Sequence, residues 1–284
     1  MIYFCADDYG ISNYSNDRIE KCLKNGVLNK ISVLPNGRLD SIKNLLDGSV
    51  KLSLHINLVE GFALSDQKDV NLITKSDGSF KYSFIGLLFA SVFGKRKKLK
   101  KQLYNEIKKQ ISFWRGLVGE DTPIFIDSHQ HTHMIPLIFK TLLQVISDEK
   151  IVVEGLRVPT EPLLPYLLTP SLYLKYNPVG VIKQWLLNFL GLFNKKKLKN
   201  AKIPVPYFMG ALFSGQMTGD KIKKILPRYL KLSNKQGRDI ELTLHPGYPK
   251  KDEKVMDGVR TSFKKFYYSP WRKKEYDTLI NFKF

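Results

Sequence analysis

Short apolar segments alternate along this chain with longer stretches of helical periodicity. Residues 51–58 alternate apolar with polar side chains, which predicts a strand with one apolar face and one face that carries His55. Apolar residues recur every four positions over residues 99–111 and predict an amphipathic helix with a lysine-rich outer side. Residues 17–23 begin another predicted helix, which the Asn and Gly that follow would end.

Further short apolar segments are predicted as strands: residues 2–6, 123–126, 151–158 and 240–244. Strands that alternate with helices favour a parallel α/β architecture. Polar residues follow these strands, and (β/α) barrels carry their catalytic residues at the carboxyl ends of strands. We therefore predict one α/β domain over residues 1–284, a (β/α) barrel-like, distorted TIM-type fold, with a basic, apolar insertion or lid over residues 159–206.

The composition narrows the class of protein. A chain of 284 residues with 43% apolar residues can bury a full core, so disorder and a disulfide-stapled small fold are excluded. The only two cysteines, Cys5 and Cys22, cannot form a cysteine zinc site and are expected to be reduced thiols. The first residues show no signal-peptide pattern. We therefore expect a cytoplasmic protein.

The histidines lie on the polar face of one predicted strand or after the ends of two others: His55, His129, His131, His133 and His245. Any single one could be an ordinary hydrogen-bonded side chain, but together they indicate a metal site. Imidazole suits Zn, Fe, Ni and Cu, and a carboxylate beside it also admits Mn or Mg. Asp8 would supply the carboxylate, and Asp127 could accept the second ring N–H of a ligating histidine. An extended segment 127–133 would place its three histidines on one side, whereas a helical one would pair the first with the third.

Asp7 and Asp8 are adjacent at the end of the first predicted strand. In an extended backbone they point in opposite directions, so one could bind a metal while the other faces the water that the metal activates. An Asx turn or helix cap is the alternative. Arg157 ends another predicted strand, where its charge could hold Asp7 ionised, or form an ordinary ion pair.

Five short motifs occur in order along the chain: ADDYG at 6–10, LHINL at 54–58, DSHQHTH at 127–133, LRVPTE at 156–161 and LHPGY at 244–248. Together they resemble the YdjC-like carbohydrate deacetylases, which include the chitooligosaccharide and hopanoid-associated deacetylases. The resemblance covers residues 2–248, with little of it in 68–110 and 161–206. It implies a (β/α) barrel related to polysaccharide deacetylases and metal-dependent hydrolysis of the N-acetyl group of an amino sugar.

The resemblance also implies roles for residues. The metal ligands would be Asp8, His55 and His129, around one divalent ion that the sequence cannot identify among Zn, Mg and Mn. Asp7 would be the general base and His245 the acid for the leaving amine, or a group that stabilises the oxyanion.

The other expected site residues have less defined roles. Arg157 is expected among the catalytic residues, and further residues are expected to contact the substrate or support the ligands: Asp127, His131, His133, Tyr9 and Tyr248. Tyr9 stands where Phe is common in the family and could bond a sugar hydroxyl.

The charge distribution points to a membrane surface. The chain carries 46 Lys+Arg against 26 Asp+Glu, a formal net charge of +20. Two apolar segments, 83–94 and 181–193, are each followed by a lysine cluster and are shorter than the ~20 residues of a spanning helix. This pairing predicts peripheral binding to an anionic leaflet at the inner membrane. The alternative is two core helices with solvated lysine ends.

A lipid-linked substrate would explain both the apolar segments and the charge. Some members of the family are understood to deacetylate an N-acetylhexosamine on undecaprenyl phosphate for lipid A modification, and this chain resembles them. A soluble deacetylase of diacetylchitobiose-type chitooligosaccharides is one alternative. A basic nucleic-acid-binding protein is another, but the lysine runs lack interleaved aromatics and a nucleic-acid module, so no nucleic acid is expected as partner. The oligomeric state is left open, a homo-oligomer included.

Overall fold

Seven parallel strands form one sheet at the centre of the described structure. The computed structural model describes residues 1–40, 42–46, 48 and 50–283. Along the chain the strands are β1 (Ile2–Tyr9), β2 (Lys30–Val33), β3 (Lys51–Ile56), β4 (Ile124–Ser128), β5 (Val153–Leu156), β6 (Tyr207–Met209) and β7 (Ile240–Leu244). Their order across the sheet is β5-β4-β3-β2-β1-β7-β6, and each neighbouring pair is parallel. The predicted parallel α/β architecture is therefore confirmed.

Helices connect these strands. They are α1 (Asn13–Asn25), α2 (Gln67–Val70), α3 (Phe84–Phe93), α4 (Arg96–Val118), α5 (Pro136–Asp148), α6 (Leu164–Leu167), α7 (Pro178–Ala201), α8 (Gly219–Gln236), α9 (Thr261–Tyr267) and α10 (Pro270–Asn281). Short 3-10 segments occupy Ile42–Leu45, His129–Met134 and Pro170–Lys175. Among the residues that the structure describes, no helix combines the length and the hydropathy that crossing a bilayer requires.

The predicted elements are present, with shifted ends. Helix α1 begins before residue 17, because the Ser12 side chain accepts a hydrogen bond from the Ser15 N–H and caps it. Helix α4 buries the predicted apolar face: Leu99, Leu103, Ile107 and Ile111. Strands β2 and β6 were not predicted, since four and three residues are too few to show an alternating pattern.

The sheet curls into a half-barrel whose edges approach each other. The N–H of Leu156, at the end of edge strand β5, donates to the carbonyl of Pro204, shortly before the opposite edge strand β6, at 2.9 Å. The Arg157 side chain crosses the interior and reaches Asp7 on β1 and Glu241 on β7. The barrel-like prediction is thus correct for a curled parallel sheet, but the described residues form seven strands and not a closed eight-stranded barrel.

Polar and ionised side chains fill the interior of the half-barrel. Lys30 Nζ lies 3.1 Å from Glu241 Oε2, and both side chains are fully buried. Ser32 and Ser53 donate to Asp127 Oδ2 at 2.6 and 2.8 Å. Because side chains alternate along a strand, the residues between these polar ones join the hydrophobic core: Ile31, Val33, Leu54 and Ile56.

The segment 159–206 runs from β5 towards β6 and contains α6 and α7. Buried Glu161 anchors it, accepting bonds from the Gly210 and Leu212 N–H groups after β6 and from Gln184 on α7. Helix α7 therefore lies against the carboxyl-end loops of the sheet. Its action as a lid stays a prediction.

Candidate metal and catalytic site

The end of β1 brings two adjacent carboxylates to one cavity. The pairing of β1 with β2 shifts register between Ala6 and Tyr9, and Asp8 has a positive φ of 68°. This bulge breaks the alternation of a regular strand, so Asp7 and Asp8 both line the same cavity. The expectation that they point in opposite directions is corrected accordingly.

Asp8 converges with two histidines from neighbouring strand ends. Its Oδ1 lies 2.9 Å from His129 Nδ1 and 3.6 Å from His55 Nε2. These donor atoms all lie within 4.8 Å of one another, and all three side chains are buried. Burial opposes ionisation of Asp8, but Arg272 and His129 outweigh it and lower the pKa of this carboxyl well below its ordinary value. The three residues predicted as metal ligands therefore lie close together in the folded protein.

The second ring nitrogen of each histidine has a partner of its own. Asp127 Oδ1 lies 2.5 Å from His55 Nδ1, and the Tyr267 hydroxyl lies 3.2 Å from His129 Nε2. Such outer partners fix the orientation of metal-binding imidazoles. Burial alone would lower the pKa of His55, but Asp127 and Asp7 raise it to about 10. One carboxylate and two imidazoles, oriented in this way, fit a divalent ion such as Zn, Mg or Mn.

Two other donor sets in the half-barrel are less suited to a metal. One comprises Cys5, Asp127 and Glu241, and the other Asp7, His55 and Asp127. Arg157 already forms ion pairs with each carboxylate of both sets. The set of Asp8, His55 and His129 is better suited to hold a metal, because among the described residues no arginine or lysine bonds Oδ1 of its carboxylate and Arg272 bonds only Oδ2.

Arg157 holds Asp7 through two bonds, of 2.7 Å from Nη1 and 2.8 Å from Nη2. Burial alone would raise the pKa of Asp7, but the Arg157 charge outweighs it and lowers this pKa below its ordinary value. The ion pair thus has the predicted geometry. Arg157 itself is fully buried and does not line the cavity, so its contact with the site runs through Asp7, and its expected part in catalysis stays a prediction.

His131 and His245 line the same cavity as Asp8, His55 and His129. The Nδ1 atom of each has no hydrogen-bond partner among the described residues. His245 Nδ1 lies 3.6 Å from Glu275 Oε2, and the His131 ring packs edge-on against Phe208. Burial lowers the pKa of His131 well below its ordinary value and keeps it neutral. Both are placed to contact a ligand.

The 127–133 segment is neither extended nor a regular helix. Gln130 and His131 have positive φ angles of 52° and 59°, so the three histidines point to three different environments. His133 bonds Ser128 Oγ and the carbonyl of Arg157, at 2.5 and 2.8 Å. It supports the backbone that positions Arg157 and does not line the cavity.

Two predicted substrate contacts lie elsewhere. The Tyr9 hydroxyl donates to Glu20 on α1 at 2.8 Å, and the ring is fully buried in the core. Tyr248 stacks edge-on against Tyr14 and Tyr276, outside the cavity lining. Tyr9 directly follows the bulge at Asp8, and its side chain points away from the cavity and into the core.

The sequence did not reveal several residues of the site. Arg272 on α10 binds Asp8 Oδ2 at 2.5 Å, and Tyr267 on α9 supports His129. Lys183 on α7 lines the cavity, and its Nζ bonds Ser214 Oγ at 2.9 Å. Burial lowers the pKa of Lys183 to about 8. These residues lie outside the five motifs, and the contact between residues 8 and 272 exists only after folding.

The cavity has a volume of about 510 Å³, ample for a sugar unit. Its floor holds the carboxylates and histidines. One wall is apolar and comes from α7, and the aromatic rings of Phe84, Phe263, Phe266 and Trp271 complete the lining. Apolar walls with a few convergent polar groups are typical of a small-molecule site.

A solved structure from Enterococcus faecalis V583, a protein whose suggested role is cellobiose-phosphate cleavage, has a similar fold. It aligns with a TM-score of 0.64 and 16% identity and covers 98% of this chain and 90% of that one. This likeness establishes the fold alone.

Curated relatives are similar over most of the chain. A carbohydrate deacetylase of Danio rerio is 26% identical over 265 residues, 86% of this chain and 80% of the relative. Its namesake in Xenopus laevis is 27% identical over 268 residues, covering 87% and 81%. A carbohydrate deacetylase of Clostridium beijerinckii is 26% identical over 189 residues, covering 65% and 73%. The family model described as "YdjC-like protein" matches residues 1–284, and the chain therefore belongs to the YdjC-like family.

Proposed function

We propose that this protein is a metal-dependent carbohydrate deacetylase that hydrolyses the N-acetyl group of an amino sugar to a free amine and acetate. The observation that carries this proposal is the convergence of Asp8, His55 and His129 beside Asp7, in one cavity. A base next to a set of metal ligands is the arrangement that hydrolysis of an amide needs. The name of the curated relatives, carbohydrate deacetylase, agrees with it.

The ligand set would hold one divalent ion, which supplies a Lewis acid for the acetyl carbonyl and acidifies the attacking water. Asp7 accepts the proton of that water. The Arg157 ion pair keeps Asp7 ionised at neutral pH, and it also orients the carboxylate, at the expense of its basicity.

His245 donates a proton to the amine nitrogen as the C–N bond breaks. Its ring lines the cavity, and its Nδ1 lies 3.6 Å from Glu275 Oε2. His131 contacts the sugar, because its ring lines the cavity and burial keeps the ring neutral.

As substrate we propose an N-acetylhexosamine carried on polyprenyl (undecaprenyl) phosphate, on a route to modified lipid A or envelope. The apolar wall of the cavity comes from Val179, Ile182 and Leu186 of α7, and Lys183 projects among them. Lys183 forms no ion pair with a carboxylate among the described residues, so its charge is available to a phosphate. A neutral sugar would leave both features unused.

A soluble chitooligosaccharide is the second candidate, because the relatives are named for carbohydrates and not for lipids. The test measures acetate release from N-acetylhexosamine on polyprenyl phosphate and from diacetylchitobiose, with the metal content determined in parallel. Preference for the lipid-linked sugar supports the first candidate. Preference for diacetylchitobiose supports the second, and release from neither refutes the deacetylase proposal.

A further inference from the structure

The exposed apolar side chains that the structure describes are concentrated in three segments, two of which contribute residues to the cavity. Sixteen of the 22 large hydrophobic residues that the structure describes as exposed belong to α3, α7 and the segment 163–174. Soluble monomers rarely expose large contiguous apolar patches, which mark sites of interaction. Phe84, the first residue of α3, and the first half of α7 line the cavity that holds the catalytic groups. The apolar surface therefore begins at the entrance to the site.

Helix α7 presents its apolar side outwards. We name its exposed residues the outer face of α7: Val179, Ile182, Trp185, Phe189, Leu192 and Phe193. They recur three and four positions apart and so share one side of the helix. Trp185 is 68% exposed and Leu192 69% exposed.

The inner side of α7 buries two polar residues beside two core leucines, Leu187 and Leu190. Gln184 donates to Glu161, and Asn194 donates to the carbonyl of Met134, and both are buried. Helix α7 therefore contacts the core on one side and exposes a second apolar side to solvent.

The charge around these helices has one sign. Neither α3 nor α7 contains an acidic residue, and α7 ends in Lys195, Lys196, Lys197 and Lys199. Residues 95–101, directly after α3, contribute five lysines and one arginine. Apolar residues beside lysine clusters match the interface of a bilayer whose headgroups are anionic.

We propose that the outer face of α7, together with α3, docks on an anionic lipid leaflet and holds the mouth of the catalytic cavity at the level of the headgroups. The use of this docking for catalysis rests on the proposed function, because the sugar of a lipid-linked substrate lies at the level of the headgroups. The contact itself does not depend on catalysis. It places the protein as a peripheral protein on a membrane.

The test is flotation of the full-length protein with vesicles of phosphatidylcholine, with and without phosphatidylglycerol. The double variant Phe189→Ser/Leu192→Ser should lose binding. Neither residue lines the catalytic cavity. The matched control is Val152→Ser, an exposed apolar residue that directly precedes β5, at the opposite end of the sheet from the site. Its binding should equal that of the unmodified protein.

Separate experiments test the contribution of the lysine charges and the insertion of the outer face of α7 into the bilayer. The variant Lys195→Gln/Lys196→Gln/Lys197→Gln should bind phosphatidylglycerol vesicles about a hundredfold more weakly, as three lysines near an anionic surface predict. The emission of Trp185 should shift to shorter wavelength with these vesicles, and the shift should vanish in Trp185→Phe.

The possible results of these experiments distinguish a lipid leaflet from a second copy of this chain as the partner of the surface. No flotation at low salt, or equal flotation of the Phe189/Leu192 double variant, overturns the inference. A protein that does not float but changes from dimer to monomer in that double variant has a second copy on this face. Acetate release from diacetylchitobiose should be unaffected by the same double variant. Flotation without any deacetylation would refute the proposed function and leave the docking surface standing.

Discussion

Replacing Arg157 by Met tests the physical basis of the site most directly. Its guanidinium binds Asp7, Asp127 and Glu241 in a fully buried setting. After the replacement Glu241 keeps Lys30 at 3.1 Å and Asp127 keeps His55 at 2.5 Å. Asp7 has no other ion pair among the described residues, so only the charge of His55 is left to oppose the effect of its burial.

The loss of stability that we expect for Arg157→Met comes from the Asp7 carboxylate. Breaking a buried ion pair by removing one partner lowers the free energy of unfolding by about 3–5 kcal/mol. The cost depends on pH, because burial then raises the pKa of Asp7, whereas in the unmodified protein Arg157 lowers it. The folded variant retains a proton that the unfolded chain loses above about pH 4, so its stability falls as the pH rises, by about 1.4 kcal/mol per pH unit at most.

The assay is urea unfolding followed by circular dichroism at about pH 5 and about pH 7, with chelator present so that metal binding does not contribute. The difference in stability between Arg157→Met and the unmodified protein should be larger at the higher pH. Adding Asp7→Asn to Arg157→Met should remove that pH dependence, and it is the matched control. A loss below about 1 kcal/mol, or a loss equal at both pH values, would refute the view that Arg157 holds Asp7 ionised.

Further predictions concern the metal, its support and the cavity. Asp7→Asn should keep the bound metal and lose acetate release, whereas His129→Ala should lose both; bound-metal analysis beside the acetate assay checks the pair, and unchanged turnover in Asp7→Asn removes Asp7 as the base. Asp127→Asn should weaken metal binding about 10–100-fold in a chelator competition, since it orients His55, and unaltered affinity contradicts that role. Burial lowers the pKa of Lys183 to about 8, so the folded protein binds this proton less well than the unfolded chain does and gains stability from pH 8 upwards. Lys183→Met should therefore raise thermal stability at neutral pH and abolish that gain. A variant whose stability has the same pH profile as that of the unmodified protein contradicts this.

The proposed docking surface and the site share one structural element. Helix α7 supplies Lys183 and an apolar wall to the cavity, and Val179 and Ile182 belong both to that wall and to the outer face of α7. Helix α7 is anchored through Gln184 on Glu161, which also accepts N–H groups of the loop after β6. Contact with a lipid surface would therefore be mechanically linked to the loop that carries Ser214, the partner of Lys183.

Much of the fold and of the metal site follows from local patterns in the sequence. Apolar runs of strand length, each followed by polar residues, predict parallel strands with chemistry at their carboxyl ends, and the positions of Asp8, His55 and His129 follow from that rule. The lysine clusters after two apolar segments are likewise visible without coordinates. These features are local, since a strand or helix reveals itself over a few neighbouring residues.

The tertiary structure alone decided the rest, because it depends on residues far apart in the chain and on backbone conformations that composition does not specify. The bulge with a positive φ at Asp8 directs the side chains of Asp7 and Asp8 towards one cavity and the Tyr9 ring towards the core. Arg272 meets Asp8 across 264 positions of sequence, a contact that no local pattern encodes. The direction in which α7 faces is also set by packing, since its buried Gln and Asn have partners only in the folded protein.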